Sequence, residues 1–360
     1  MAQVLRKAGK LREGESPSAP ESKIAWFTHD GLSIRALYTF EEERTDVGLP
    51  GAFPYVRGAT NGRPALGWDV RAVHEGPDAR TARAEVLSDL ENGASSLWLR
   101  MQGGGGSLPP GSLEETLFDV RLDLVAVALS AGPHFESAAH EIALSCKRTG
   151  LNVDSTRIFL GLDPIGERAR LGDASNLSDA ATFASRIARE HHSWTTFTVD
   201  ATVYHEAGAT EALELGYSIA TGLAYVRALA SAGVPVEAAV RQVEFRYAAT
   251  VDQFLTMAKL RAARQLWARV ADVCGTSAGQ VQHVVTSRTM MTTRDPWVNM
   301  LRTTIAAFAA GTGGASSVTV WPFDCEFGAP DEFSRRMARG TQALLLEESS
   351  VGRVLDPAGG

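Results

Sequence analysis

Three consecutive residues, Tyr204, His205 and Glu206, carry side chains that can move protons or hold a carbonyl oxygen. They follow the apolar segment 195–202, which predicts a buried strand, and precede a long helical pattern at 209–231. In α/β barrels, catalytic groups stand where a strand ends and its helix begins. One hypothesis is therefore that this trio forms an acid–base site. The simpler interpretation of His205 is a hydrogen-bonded polar residue at a barrel rim.

The other candidate groups lack the spacing of a metal site. Three carboxylates end predicted strands and are interpreted as residues that cap loops at the rim: Asp163, Asp324 and Asp356. His191 and His192 precede a predicted strand on the opposite face, and two adjacent histidines alone do not make a zinc site. The cysteines are Cys146, Cys274 and Cys325. Their odd number and wide separation indicate reduced thiols, and we expect no bound metal.

Composition describes an acidic protein that is large enough to form a core. The chain has 360 residues, 44% of them hydrophobic, and a formal net charge of −7. A chain of this size buries about three quarters of its unfolded surface. The charge argues against nucleic-acid binding, and no apolar run approaches the roughly 20 residues of a membrane span. The basic N-terminus lacks the apolar segment of a secretion signal, so we expect a cytoplasmic protein.

Strand and helix patterns alternate along most of the chain. Eight apolar segments predict strands, at 95–101, 122–129, 157–163, 195–202, 243–249, 283–289, 318–324 and 353–356. Between them lie helical stretches, of which 252–274 has a stripe that includes Leu266 and Val273, with Arg261 and Arg264 pointing away. Such alternation pairs strands in parallel, in a closed barrel or an open doubly wound sheet. The count of eight favours a (β/α)8 TIM barrel.

The part before the barrel has little periodic pattern. Residues 1–22 are basic and then polar and proline-rich, and we expect them to be disordered. Residues 23–76, rich in Gly and Pro from Tyr38 onward, predict an extended arm that contacts another subunit, with a plain surface arm as the alternative. The barrel is assigned to 77–360. Within it, the glycine run 103–106 precedes two prolines, which indicates a loop rather than a phosphate-binding turn.

Several strings resemble signatures of the methylmalonyl-CoA mutase family of cobalamin-dependent acyl mutases. Glu206-Ala-Gly-Ala-Thr210 is similar to the second half of the family's Gly-Tyr-His-Met-Gln-Glu-Ala-Gly-Ala-Thr. Further similar strings are Leu49-Pro-Gly-Ala-Phe-Pro-Tyr-Val-Arg-Gly58, Arg63-Pro64, Met257–Ala268, Asn299–Ala307, Glu347–Ser349 and Asp356-Pro-Ala-Gly-Gly360. The resemblance runs from about Gly48 to Gly360. It implies an arm followed by a mutase barrel.

The resemblance also implies that the family's working groups are replaced. Where the family has a tyrosine over the reacting acyl group, this chain has Val73, and where it has a substrate-holding glutamine, this chain has Gly161. The histidine that hydrogen-bonds the thioester carbonyl is replaced by Val203. A substrate-binding arginine is expected nearby, where Arg168 and Arg170 lie. Orienting a thioester needs polar donors, so we expect no catalytic and no cofactor-binding residue on this chain.

Mutases of this family can pair a catalytic chain with a smaller, silent homologue. The resemblance implies that this chain is that small, non-catalytic subunit of a heterodimer. The larger homologous subunit would bind adenosylcobalamin, and the complex would interconvert methylmalonyl-CoA and succinyl-CoA. The family continues into a cobalamin-binding domain after the position of Gly360, so we expect either a truncated chain or a shortened gene product. The alternative is a self-standing acyl-CoA isomerase or lyase that uses Tyr204, His205 and Glu206.

A final expectation concerns the barrel axis. Catalytic members line it with small Ser and Thr side chains, which leave a channel for the coenzyme A arm. Here the strand segments 97–100, 124–129, 158–160 and 318–321 carry mostly larger residues, whichever alternate set points inward. At the packing density of protein interiors, such residues leave no room for a pantetheine chain. We therefore expect a filled axis.

Overall fold

A closed barrel of eight parallel strands forms the centre of the protein, which confirms the (β/α)8 prediction. The computed structural model describes residues 2–12, 23–39, 47–60, 67–101, 107–172 and 176–359. The strands are β1 (Asp69–His74), β2 (Ser96–Arg100), β3 (Ala126–Ser130), β4 (Ile158–Leu162), β5 (Thr195–Asp200), β6 (Val243–Ala249), β7 (Val281–Thr286) and β8 (Ser317–Thr319). Each pairs with the next in chain order, and β8 pairs with β1.

The barrel begins and ends earlier in the chain than the sequence pattern predicts. β1 lies inside the range 23–76 of the predicted arm, and the predicted strand 353–356 is instead a loop after the short 3₁₀ helix Val351–Arg353. Sequence reasoning missed β1 because Asp69, Arg71 and His74 interrupt its apolar pattern. The boundary at residue 77 is therefore wrong for the barrel, and each predicted strand from 95–101 to 318–324 stands one place later in the ring.

Helices surround the barrel and cover its strands. They span Ala2–Lys7, Ala79–Glu91, Leu113–Thr116, Phe135–Thr149, Pro164–Leu171, Leu177–Glu190, Thr202–Glu206, Glu211–Ser231, Val236–Arg241, Gln253–Val273, Pro296–Thr312 and Glu332–Ala343. The main core lies between them and the outward faces of the strands, where Leu97, Leu99 and Phe245 are fully buried. Trp267 packs edge-on against Phe245 with ring centroids 4.7 Å apart. The inward faces of the strands carry a different set of side chains, which meet on the barrel axis.

The helix Gln253–Val273 is rotated relative to its predicted stripe. Arg264 is buried, whereas Leu266 and Val273 are exposed, so the expectation that Arg264 points away is wrong. Its guanidinium group donates to Tyr55 O, Val56 O, Gly313 O, Gly314 O and the Gln282 side-chain oxygen. A buried cation is tolerated when its donors are bonded in this way. Arg264 thereby fixes residues 47–60 to the barrel.

Two parts of the predicted arm differ in how they meet the barrel. Residues 47–60 run across the N-terminal ends of β7 and β8, where the Arg57 Nε donates to Asp356 at 2.7 Å. Trp68 is only 5% exposed, and its Nε1 donates to Gln342 at 3.0 Å. By contrast, Trp26–Phe27 and Ser33–Ile34 form a small antiparallel hairpin. The hairpin loop contacts the barrel through Asp30, which accepts a hydrogen bond from the Ala212 N–H at 3.2 Å.

Some expectations fall wholly or partly outside the described residues. The disorder of residues 1–22 stays a prediction, although residues Ala2–Lys7 form a helix and residues 13–22 lie outside the description. The glycine run 103–106 and Arg63-Pro64 also lie outside it. Among the described helices, none combines the length and the apolar character needed to cross a membrane.

Candidate functional site

Side chains from opposite strands meet on the barrel axis. The Arg71 Nη1 of β1 lies 2.8 Å from the Glu244 Oε1 of β6, and both residues are buried. Because β1 and β6 are not neighbours in the ring, this ion pair crosses the interior. The Arg71 guanidinium also lies over the Phe159 ring, 4.9 Å from its centroid, and the Thr198 hydroxyl donates to Glu244 at 3.3 Å. These residues form the layer nearer the N-terminal end.

A second layer is built around Trp98 of β2. Its indole lies 4.1 Å from the Arg246 guanidinium and meets the His283 ring edge-on at 5.3 Å. Arg246 donates from Nε to His283 Nδ1 and from Nη1 to Asp200, both at 3.1 Å. Since His283 Nδ1 accepts, Nε2 carries the proton and donates to Thr319 at 2.8 Å. Burial and then nearby guanidinium charges lower the pKa of His283 well below its usual value, so it is neutral.

The layer around Trp98 separates two cavities, one at each end of the barrel. Each has a volume of about 340 Å³, and they share no lining residue. Trp98 and Trp321 lie at the base of the C-terminal cavity, and Arg71 and Phe159 lie at the base of the N-terminal one. The axis between them is filled as expected, although charged and aromatic side chains fill it rather than the branched aliphatic ones of ordinary barrels.

The three positions that depart from the family signatures offer no side-chain donor. Val73 packs against the layer around Trp98, and Val203 is buried in the short helix after β5. Gly161 has a φ of 69° at a register shift in β4. A Cβ atom there would stand 1.9 Å from the Leu129 carbonyl oxygen of β3. The backbone therefore excludes any side chain at residue 161 unless a strand moves.

The C-terminal cavity is lined by three arginines, each with a carboxylate partner. The pairs are Arg100 with Glu75 at 2.6 Å, Arg170 with Asp200 at 3.1 Å and Arg288 with Glu326 at 2.8 Å. Burial opposes ionisation of Asp200, yet the charges of Arg246 and Arg170 lower its pKa below the usual value. Of the two arginines expected near Leu171, Arg170 lines the cavity and Arg168 does not. The charges at this mouth are thus balanced within the chain.

The trio Tyr204, His205 and Glu206 is divided by the structure. His205 and Glu206 line the C-terminal cavity, whereas the Tyr204 hydroxyl lies 2.7 Å from Thr221 on the helix Glu211–Ser231. Burial and the charge of Asp200 raise the pKa of Glu206. His205 Nε2 lies 2.7 Å from the Ser287 hydroxyl, so the imidazole is hydrogen-bonded at the rim. Tyr204 therefore does not share the cavity with the other two residues.

The carboxylates that end predicted strands do not form one cluster. Asp163 caps the helix Pro164–Leu171 and accepts from the Tyr225 hydroxyl at 2.5 Å. Burial, followed by the charge of Asp200, raises its pKa to about 7. Asp356 instead pairs with arginines at the other end of the barrel. Within the residues that the structure describes, no group of three or more His, Cys, Asp or Glu side chains could hold a metal ion.

Several residues of the axis escaped the sequence analysis. Glu244, Arg246 and Ala248 alternate along β6 with the buried aromatic residues Phe245 and Tyr247. The charges at every second position of this strand could have predicted the axial residues. Neither face of a strand in a helix-covered barrel is exposed to solvent, so a charged face must point toward the axis. The sequence analysis treated β6 as an apolar strand and did not use its charges. The residues that these charges contact on the axis come from distant parts of the chain and could not be identified from spacing.

A closed (β/α)8 barrel with a cavity at the carboxyl ends of its strands has the architecture of barrel enzymes. The sequence profile described as methylmalonyl-CoA mutase matches residues 116–360. The chain therefore belongs to the methylmalonyl-CoA mutase family.

Relatives of known description cover nearly all of this chain. It is 51% identical to the methylmalonyl-CoA mutase small subunit of Streptomyces virginiae over 99% of its own length and 58% of that protein. It is 40% identical to the small subunit of Propionibacterium freudenreichii subsp. shermanii, over 94% and 53% of the two lengths. It is 28% identical to the methylmalonyl-CoA mutase of Rhizobium meliloti, over 97% of its own length and 54% of that protein. The chain thus spans little more than half the length of these relatives.

Proposed function

We propose that this chain is the catalytically silent small subunit of a heterodimeric methylmalonyl-CoA mutase. In this proposal the complex interconverts methylmalonyl-CoA and succinyl-CoA in the cytoplasm, and a larger homologous subunit performs the chemistry. The higher identity to proteins named as small subunits, 51% against 28% for one named as the mutase, supports this role. The role of this chain is to support the catalytic subunit.

The filled axis is the observation that carries the proposal. A thioester could be oriented only by donors that reach it, and Trp98, Arg246 and Glu244 occupy the space through which its long arm would pass. Arg71 Nη1 and the Nε and Nη1 of Arg246 are bonded within the chain, whereas the buried Arg246 Nη2 has no partner among the described residues. Gly161 adds a second obstacle, because its backbone conformation excludes the amide that the family signature places there.

The described residues are not suited to hold adenosylcobalamin. Two histidines belong to the C-terminal cavity and to the layer around Trp98 beneath it, His205 and His283. The first has its Nε2 hydrogen-bonded to Ser287, and the second is fully buried with both ring nitrogens bonded. We therefore place the cofactor on the larger subunit in this proposal and route no step of the isomerisation through this chain.

The hairpin is the part of the arm that we propose as the subunit contact. The hairpin and the residues directly after it carry large apolar side chains that are exposed: Trp26, Phe27, Leu32, Leu37 and Tyr38. Phe27 reaches 69% exposure. Trp68, by contrast, belongs to the core of this chain, and Tyr55 is bonded to Ser277. Deleting the arm as far as Gly76 would remove β1, so a deletion that tests contact should stop at residue 39.

Turnover measurements on separated and combined subunits test the proposal. We expect the purified chain to form no succinyl-CoA from methylmalonyl-CoA with adenosylcobalamin added, and the combined subunits to form it. Val203→His alone should not restore turnover, because residues 73 and 161 still lack donors and such groups act together. Succinyl-CoA formation by the chain alone would contradict the silent role. The same assay, run with other acyl-CoA esters, decides the alternative of a self-standing isomerase or lyase.

A further inference from the structure

Ser287 and His205 form a close pair at the C-terminal cavity. Ser287 directly follows β7, lines the cavity and is 4% exposed. Its hydroxyl oxygen lies 2.7 Å from His205 Nε2 and 2.8 Å from the Thr289 hydroxyl, and it accepts from the Thr289 N–H at 3.2 Å. A hydroxyl within hydrogen-bond reach of an imidazole is the arrangement of an activated nucleophile.

The imidazole is held in the state that can accept a proton. Burial, and then the charge of Lys259, lowers the pKa of His205 to about 4, so the ring is neutral at pH 7. Its Nδ1 faces Glu214, whose Oε2 is 3.8 Å away and is held by the Lys259 ammonium at 2.6 Å. With the proton assigned to Nδ1, on the side of Glu214, Nε2 can accept from the Ser287 hydroxyl, and the Thr289 hydroxyl lies 3.2 Å from the same nitrogen. The low pKa makes the base weak, so the reaction should be slow.

We propose that Ser287, with His205 as its base, is a nucleophile that accepts a short acyl group from an activated ester. The Oγ forms a bond to the acyl carbon while its proton passes to His205 Nε2. The bond between the acyl carbon and the leaving oxygen or sulfur breaks, and the leaving group takes the proton from His205. Water can later hydrolyse the acyl-serine by the same route. This reactivity neither uses cobalamin nor depends on the role in the mutase.

The cavity supplies the remaining requirements of such a step. Its volume of about 340 Å³ is sufficient for a small acyl group. Arg288 lines the same cavity directly after Ser287; its Nε is held by Glu326 and its Nη2 by the Cys325 carbonyl oxygen, which leaves Nη1 as the donor for a developing oxyanion. Ala248 and Val285 contribute apolar wall beside it. The cavity therefore admits an ester with a short acyl part.

Covalent labelling of the full chain by an alkyl fluorophosphonate tests the proposal. This probe forms a bond between the serine oxygen and phosphorus and releases fluoride, so peptide mass spectrometry identifies the labelled residue. We expect one adduct, at Ser287, and none in Ser287→Ala. His205→Gln keeps a hydrogen-bonding group but no base, and we expect its labelling to slow by about 100-fold, the lower end for general-base catalysis.

His140→Gln, an exposed histidine on the helix Phe135–Thr149, is the matched control and should label at the original rate. Thermal unfolding of each variant verifies that it is folded. If Ser287→Ala does not fold, the comparison of the two histidine variants still decides the question. Absence of a Ser287 adduct in the original chain, or an unchanged labelling rate in His205→Gln, would overturn the proposal.

Discussion

Replacing Gly161 by alanine tests whether the backbone of β4 excludes a side chain. The matched control is Gly150→Ala, because Gly150 has the same φ of 69° but no atom within 4 Å of its virtual Cβ. A left-handed conformation costs a non-glycine residue about 1–2 kcal/mol at either position. At Gly161 the Cβ would also overlap the Leu129 oxygen at 1.9 Å, so β3 and β4 must separate.

That separation strains the packing, at about 1–3 kcal/mol, and weakens ladder hydrogen bonds worth about 1 kcal/mol each. We expect Gly161→Ala to lower the free energy of unfolding by about 3–5 kcal/mol and Gly150→Ala by about 1–2 kcal/mol. Urea unfolding at pH 7 measures both from the shift in midpoint at constant m. Equal losses for the two variants would refute the steric argument. Gly161→Gln, which restores the family's amide, should destabilise further without restoring turnover.

Three further predictions concern charges and the arm. The pKa of Asp163 is raised from 3.8 to about 7 in the folded chain. The stabilising contribution of its protonated carboxyl group is therefore fully present below pH 3.8 and is lost progressively as the pH rises to 7, so Asp163→Asn should flatten the pH dependence of the unfolding free energy between pH 4.5 and 7.5. Arg71→Met leaves Glu244 buried without its partner and should cost about 3–5 kcal/mol in urea unfolding, whereas Arg71→Met combined with Glu244→Leu should cost much less. Phe27→Ala should weaken co-purification with the larger subunit and leave the melting temperature unchanged. Trp68→Ala should leave co-purification unchanged and lower the melting temperature, because it should cost about 3–5 kcal/mol of the free energy of unfolding.

The barrel class was predictable because its signal is carried by many elements. Seven of the eight strands, β2 to β8, overlap a predicted apolar segment, such as the one with Leu97 and Leu99, and helices long enough to be recognised alternate with most of them. β1 and the end of the barrel were not predictable in this way. Asp69 and Arg71 make β1 look polar because its partners lie across the axis, and the segment near Asp356 looks like a strand although two arginines hold it as a loop.

The sequence predicted which residues of the site differ from the family signatures, but it did not predict which residues of the site contact one another. The replacements Val73, Gly161 and Val203 follow from comparison with the family signatures. The pairing of His205 with Ser287 joins residues 82 positions apart, and no spacing rule links them. Likewise, Arg264 was expected on the surface because a helical stripe records hydrophobicity, whereas its burial depends on backbone carbonyls of the arm that only the folded chain brings near.

Calorimetric titration of the purified chain with coenzyme A tests the filled axis most directly. The side chains around Trp98 leave no path for the pantetheine arm. We therefore expect the folded chain to give no saturable heat of binding with coenzyme A. The larger subunit, titrated in parallel, should bind. Saturable binding to this chain that disappears in a folded Ser317→Leu variant, which narrows the N-terminal cavity, would contradict the silent role.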